Sequence, residues 1–393
     1  MDIKKNILYV VPTMNSGGVE VGILELAKKN FEEGNKINMF LLSFGGKMIS
    51  RLVSYGVKCF NVNVKSKNPI TIIKNIKKIK QIIQENDINI VQAESRAPAW
   101  SCYFACKKLN IPMITTVHGL YDSTNFLKRL YNSSIFRGNP IITVSNFAKD
   151  YSIKYYKKYI YKKQFRKDVE VVYRAIDTDV YNEDNVSVTR VLELQKKLRL
   201  PDDKVIITLP ARFAKQKGQD YFLRVLKFIK NTNYFCVIIG DDKKKPKYVK
   251  YIEKLIYKYN LQKNVGIYGN ISDMPALYKL SNVVVSSSIK PESFGRIAIE
   301  AQAMKRIFIG TAIGGTLETV NDGVTGFLVP ENNAKLFAKI LDEVLELSVE
   351  KKDKITNNGR KYVIDNFSID SMYNSLINIY NKVLESDDFR CWN

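Results

Sequence analysis

The chain has 393 residues, 45% of them hydrophobic, and 62 Lys and Arg against 39 Asp and Glu leave a formal net charge of +23. That length suits two ordinary domains with a buried core each, and no stretch approaches the roughly 18 uninterrupted apolar residues of a membrane span. Five cysteines without a CxxC pair and a single histidine, His118, exclude a disulfide framework and multi-histidine zinc sites.

The first apolar run, Ile7–Val11, is too short for an export signal and reads as a buried strand, so the expected address is the cytoplasm. Further strand-like runs follow at Ile37–Leu42, Lys58–Val62, Ile88–Val91, Met113–Val117, Ile141–Val144 and Val169–Tyr173. Helical periodicity fills the gaps at Val19–Asn30, Ile70–Gln84, Pro98–Lys108 and Asn146–Lys158. Polar residues around Asp177–Thr189 mark a hinge. The scheme then repeats, with strands at Val205–Leu209, Phe235–Ile239, Val265–Tyr268, Val283–Ser286, Ile307–Gly310 and Gly326–Val329. Helices are expected at Gln219–Lys230, Lys247–Tyr259, Met274–Leu280, Gly295–Ala303, Leu317–Asn321 and Ala334–Leu347. A last amphipathic helix, Ser368–Leu384, has Ser368 as its N-cap. Alternating strands and helices of this kind make an α/β chain with parallel sheets.

The two halves echo one another. Gly17-Gly18 follows the first strand, and Gly314-Gly315 follows a late strand of the second half. Glycines between a strand end and a helix let a backbone approach a ligand, and the helix N-terminus offers unpaired N–H groups to an anion. The same pairs also serve as plain tight turns. The densest signal is Pro291-Glu292-Ser293-Phe294-Gly295-Arg296-Ile297-Ala298-Ile299-Glu300. Glu300 lies five residues beyond Gly295, about 7 Å along a helix axis. Glu292 and Glu300 are thus too far apart for a paired acid and base, but suited to hydroxyls at two ends of one ligand. Arg212 and Lys217 stand on a basic loop, Pro210–Gly218, between a strand and a helix. His118 ends a strand and precedes Gly119.

The 292–300 segment resembles the E-x-F-G-x-x-x-x-E signature of retaining glycosyltransferases of family 4, and Arg212 to Gly218 resembles their G-R-x-x-x-x-K-G loop, with Ala211 in place of Gly. The resemblance implies the GT-B fold: two Rossmann-like domains with parallel sheets facing an inter-domain cleft. It places an acceptor domain at 1–178, a donor domain at 179–366 and a C-terminal helix at 367–393 packing back on the first domain. By the same resemblance Glu292 contacts sugar hydroxyls, Glu300 the nucleotide ribose, and the backbone at Phe294 and Gly295 the sugar. Arg212 and Lys217 neutralise the donor diphosphate, and His118 lies near the transferred sugar. Gly17, Gly18, Gly240, Asn270 and Ile271 complete the donor contacts. No metal or other cofactor is implied, and Asp177-Thr178-Asp179 reads as a turn rather than a metal motif.

The implied reaction moves a sugar from a nucleotide-sugar donor (UDP- or GDP-linked) to a glycan or lipid-linked acceptor, with retention, as in lipopolysaccharide or surface-polysaccharide synthesis. The stretch Lys149–Lys167 interleaves Lys154, Lys157, Lys158, Lys162, Lys163 and Arg166 with Tyr151, Tyr155, Tyr156, Tyr159 and Tyr161. It suits peripheral contact with an anionic membrane on its inner face and equally a solvated helix face. Two rivals remain open: a nucleotide-sugar 2-epimerase or hydrolase of the same fold, and a basic nucleic-acid binder. The latter has no recognisable motif here, so no nucleic acid is expected as a partner.

Overall fold

The computed structural model describes residues 4–386 and 389, apart from 16, 122, 123, 163, 164, 167, 242 and 244. Cys391 and Lys163 lie outside the described residues. The chain divides into two units, Met1–Ala175 with Ile369–Asn393, and Ile176–Ser368.

In the first unit, largely apolar runs make parallel strands β1 (Asn6–Val10), β2 (Asn38–Ser43), the partly exposed edge strand β3 (Lys58–Asn61), β4 (Ile90–Ala93), β5 (Met113–Val117) and β6 (Ile141–Thr143). A short antiparallel hairpin, β7 (Tyr161–Lys162) with β8 (Phe165–Arg166), precedes the edge strand β9 (Val169–Val171). The main sheet runs β3-β2-β1-β4-β5-β6-β9, and every pair in it is parallel. Strands buried on both faces need no polar alternation, which is why they read as unbroken apolar runs. On one face the helix Gly18–Glu32 packs with the C-terminal helix Ile369–Glu385, whose Tyr373, Leu376, Tyr380 and Val383 join Ile23, Leu24 and Ala27 in one core. The Tyr373 hydroxyl donates to Asn30 Oδ1 at 2.9 Å. Helices Pro69–Glu85 and Arg96–Leu109 cover the other face.

The second unit repeats the plan with β10 (Val205–Pro210), β11 (Tyr234–Ile239), β12 (Val265–Tyr268), β13 (Val283–Ser286), β14 (Ile307–Thr311) and β15 (Phe327–Val329) in the order β12-β11-β10-β13-β14-β15. All five pairings are parallel.

Where element bounds differ from the sequence reading, particular contacts give the cause. The helix expected over Gln219–Lys230 ends at Leu226, because the Asp342 carboxylate accepts from the backbone N–H groups of Lys230 and Asn231 and holds an extended turn there. The polar hinge stretch contains the cap of an unforeseen helix, Val188–Leu198, whose Arg190 N–H donates to Ser187 Oγ. Helix Val349–Phe367 was missed because only Gly359, Val363 and Phe367 are buried among its many Lys and Asn residues.

Candidate functional site

Within the second unit, strand order reverses at β10, with β11 on one side and β13 on the other. Loops leaving the carboxyl ends of strands at such a reversal are where this architecture holds ligands. Three loops meet there, after β10, β13 and β14.

The first two are stitched by backbone contacts. Ser287 Oγ donates to the carbonyls of Lys217 (3.1 Å) and Gly218 (3.0 Å), and Ile289 N–H donates to Gln216 O at 2.9 Å. Gly218 has φ +67°, and a Cβ there would lie 2.0 Å from Ser287 O, so only glycine fits. Buried Gln219 turns its amide back to donate to Ala211 O (3.3 Å) and Arg212 O (3.0 Å). The result brings Lys217 Nζ to 2.6 Å from Glu292 Oε2, both side chains partly covered. Ser288 Oγ donates to the other carboxylate oxygen. The sequence reading gave Lys217 and Glu292 to separate parts of a ligand; the fold makes them one ion pair. Arg212 is exposed and makes no ion pair among the described residues.

The third loop supplies Gly314 and Gly315. A Cβ on Gly314 would lie 2.5 Å from Glu292 O, and one on Gly315 would lie 2.5 Å from Phe294 Cα. Gly315 N–H donates to Glu292 O at 2.8 Å. These glycines serve close backbone packing that fixes the Glu292 loop. Gly295, at φ +104°, starts the helix Arg296–Ala303, and buried Phe294 meets Phe367 edge-to-face at 5.6 Å.

Glu300 sits in that helix, 8% exposed. Its Oε1 accepts from Arg296 Nε at 2.7 Å and its Oε2 from the Tyr278 hydroxyl at 2.8 Å. Burial, followed by the Glu300 charge, pushes the Tyr278 phenol far above its ordinary pKa, so it remains a donor. Tyr278 escaped the sequence reading because it is one apolar-face position of a short helix, Met274–Leu280. Gly240 is packed against Ala211 O and donates its N–H to Tyr268 O at 3.2 Å. Asn270 is exposed just after β12, and Ile271 packs at the edge of the core.

In the first unit, His118 follows β5. Its Nε2 lies 2.5 Å from Glu94 Oε2 and its Nδ1 lies 3.1 Å from Arg174 Nη2. Burial lowers the His118 pKa below its usual 6.5; the Glu94 contact opposes that and the Arg174 charge adds to it. Gly17 caps the helix Gly18–Glu32, and a Cβ on Gly18 would lie 2.9 Å from Arg174 Nη1. The missing side chain at Gly18 thus makes room for the arginine. Glu94, 5% exposed, went unnoticed because a single acid at a strand end carries no periodic signal.

Two other sequence features lie outside these clusters, and the first is the turn that the sequence suggested. Asp177 Oδ1 accepts from the N–H groups of Asp179 and Val180, both at 3.1 Å, which makes Asp177-Thr178-Asp179 a turn. In the basic stretch, helix Asn146–Ile160 buries Tyr156 against Phe136 at 4.4 Å, and Tyr159 and Tyr161 pack on the same core. Only Tyr155 of its five tyrosines is exposed, which leaves Lys154, Lys157 and Lys158 as a solvated cationic face.

Two parallel sheets, one with a cation–carboxylate pair at its point of strand-order reversal, define a doubly wound α/β protein with a ligand site at the strand ends. Residues 16–180 match Glycosyltransferase Family 4, and residues 191–362 match Glycosyl transferases group 1. A crystal structure of a glycosyltransferase from Rickettsia africae ESF-5 is 35% identical, with a TM-score of 0.87 over 98% of this chain and 99% of that one. The chain belongs to the family 4 glycosyltransferases of GT-B fold. Anabaena HepE, solved with UDP and glucose, shares the fold at 18% identity and a TM-score of 0.80, over 96% of this chain and all of that one (100%). The capsular polysaccharide biosynthesis glycosyltransferase CapM of Staphylococcus aureus is 29% identical over 49% of this chain and 50% of its own.

Proposed function

We propose that the chain transfers a sugar, with retention at the anomeric carbon, from a UDP- or GDP-sugar to a glycan or lipid-linked acceptor in surface-polysaccharide or lipopolysaccharide synthesis. The Lys217–Glu292 pair at 2.6 Å carries this reading. As the sugar leaves its nucleotide, negative charge grows on the diphosphate oxygens. Lys217 has three donors and spends one on Glu292, so it can still donate to that charge. Exposed Arg212 supplies a second cation on the same loop. Fixed cations of this kind do the work of a metal, and none is required. Glu292, steadied by Ser288 and Gly315, accepts from a sugar hydroxyl. Glu300 has lone pairs beyond those used by Arg296 and Tyr278, and takes the ribose hydroxyls. Retention needs no protein nucleophile when the leaving phosphate itself takes the acceptor's proton.

The likeness to CapM supports a surface-glycan role. No helix among the described residues is long and apolar enough to cross a membrane. Peripheral contact with an anionic bilayer is supported instead by Phe126 and Leu127, 70% and 72% exposed, beside Lys128 and Arg129. The test is a screen of nucleotide sugars for binding and for UDP or GDP release, with and without lipid extracts. Acceptor-dependent release is expected. Donor conversion without any acceptor would replace transfer by epimerisation or hydrolysis.

A further inference from the structure

The first unit contains a buried chain of hydrogen bonds whose directions are fixed by elimination. Arginine can only donate, so Arg174 Nη2 donates to His118 Nδ1, and that nitrogen carries no proton. The ring proton therefore sits on Nε2 and is donated to Glu94 Oε2. Glu94 is held from its other side as well: Oε1 accepts from Gln92 Nε2 at 2.6 Å and from Thr116 Oγ1 at 3.3 Å. Gln92 is oriented in turn by the Tyr380 hydroxyl, which donates to its Oε1 at 2.6 Å and so accepts from Tyr9 at 2.5 Å. Tyr9, Gln92, Thr116 and Tyr380 are all at most 5% exposed. The Gln92, Thr116 and His118 donors converge on the Glu94 carboxyl.

We infer that Glu94 is a positioning residue that fixes the His118 ring proton on Nε2 while Arg174, on Nδ1, keeps the buried ring neutral, so that His118 does not accept the proton of the incoming acceptor. A base needs an open lone pair. The one at Nδ1 is taken by Arg174, and Nε2 already bears its hydrogen. Three charged groups bear on the ring. Burial, the largest influence, and Arg174 disfavour its protonation, Glu94 and Glu20 favour it, and the balance lies on the neutral side. The consequence for transfer rests on the glycosyltransferase reading above; the tautomer does not.

Because His118 is the only histidine in the chain, a ring-15N-labelled sample gives one imidazole to observe by NMR. The parent is expected to show a protonated Nε2 and a bare Nδ1, with a titration midpoint below 6.5. Arg174→Met should move the midpoint up and admit the Nδ1–H tautomer. Glu94→Gln keeps the shape but removes the charge, and should move the midpoint further down. A dominant Nδ1–H form in the parent, a midpoint at or above 6.5, or variants that leave both quantities unchanged would overturn the inference. In the transfer assay, the acid limb of kcat/KM should not track the imidazole midpoint, and coincidence of the two would make His118 the base after all. If no nucleotide sugar is turned over, the functional reading fails while the spectrum still decides the tautomer.

Discussion

The end of β5 in the first unit and the end of β13 in the second each pair an acid with a basic side chain, yet they are built in opposite ways. His118–Glu94 is closed: side-chain exposures are 16% and 4%, both ring nitrogens are occupied, and side chains from three strands and the C-terminal helix orient the acid. Lys217–Glu292 is open on its acid, 27% exposed against 4% for Glu94, and its position is set by backbone contacts among three loops. A network of buried side chains fixes where a proton sits. A loop framework fixes where a charge sits while leaving it free to exchange partners with a ligand. The first suits positioning and the second suits binding a leaving group.

The largest expected effects break the open pair. Lys217→Ala or Glu292→Ala should lower kcat/KM for transfer about 100-fold or more, the range seen when one electrostatic contact to developing charge is removed, with an unchanged far-UV CD spectrum. Near-parental transfer by either variant removes that residue from the site. Next comes the loop framework. Gly315→Ala places a methyl group against the Phe294 backbone and should cost about 1–3 kcal/mol in denaturant unfolding. Gly22→Ala, inside the helix Gly18–Glu32 with nothing within 4 Å of the added carbon, should instead gain about 0.4–1 kcal/mol.

The closed pair should show in the pH dependence of stability. The folded-state pKa of His118 lies below its unfolded value of 6.5, so between the two the unfolded chain binds more protons. Stability must then fall as pH drops below about 6.5, with a slope of at most about 1.4 kcal/mol per pH unit from this group. His118→Gln should flatten that slope, and an unchanged slope would show that His118 does not titrate differently on unfolding. The smallest effect belongs to a solvated contact: Lys382→Ala removes pairs to Asp168 (2.9 Å) and Glu170 (3.2 Å) and should cost about 0.2–1 kcal/mol, diminishing with added salt.

Much of the geometry around Glu292 was legible because its motif is contiguous. Glu292 to Glu300 spans one loop and one helix, and the strands flanking it are plain apolar runs. Gln219, Ser288 and Tyr278 were not legible, since each acts on a residue brought close only by folding. The five tyrosines of the basic stretch misled in the other direction. Their spacing looked interfacial, yet Tyr156 is core and two others lean on it, because composition does not reveal which helix face turns inward. Helix Val349–Phe367 was invisible for a related reason, a buried stripe too narrow to rise above its polar background.

The sequence by itself determined the succession of the main-sheet strands, the parallel two-sheet plan and the Glu292–Glu300 signature, since all of these are written in local periodicity and short spacing. Only the tertiary structure decided that Lys217 meets Glu292, that Gly314 and Gly315 brace that acid, and that Glu94 orients His118. Contacts between residues distant in the chain depend on which strand ends the sheet sets side by side, and no local pattern encodes that adjacency.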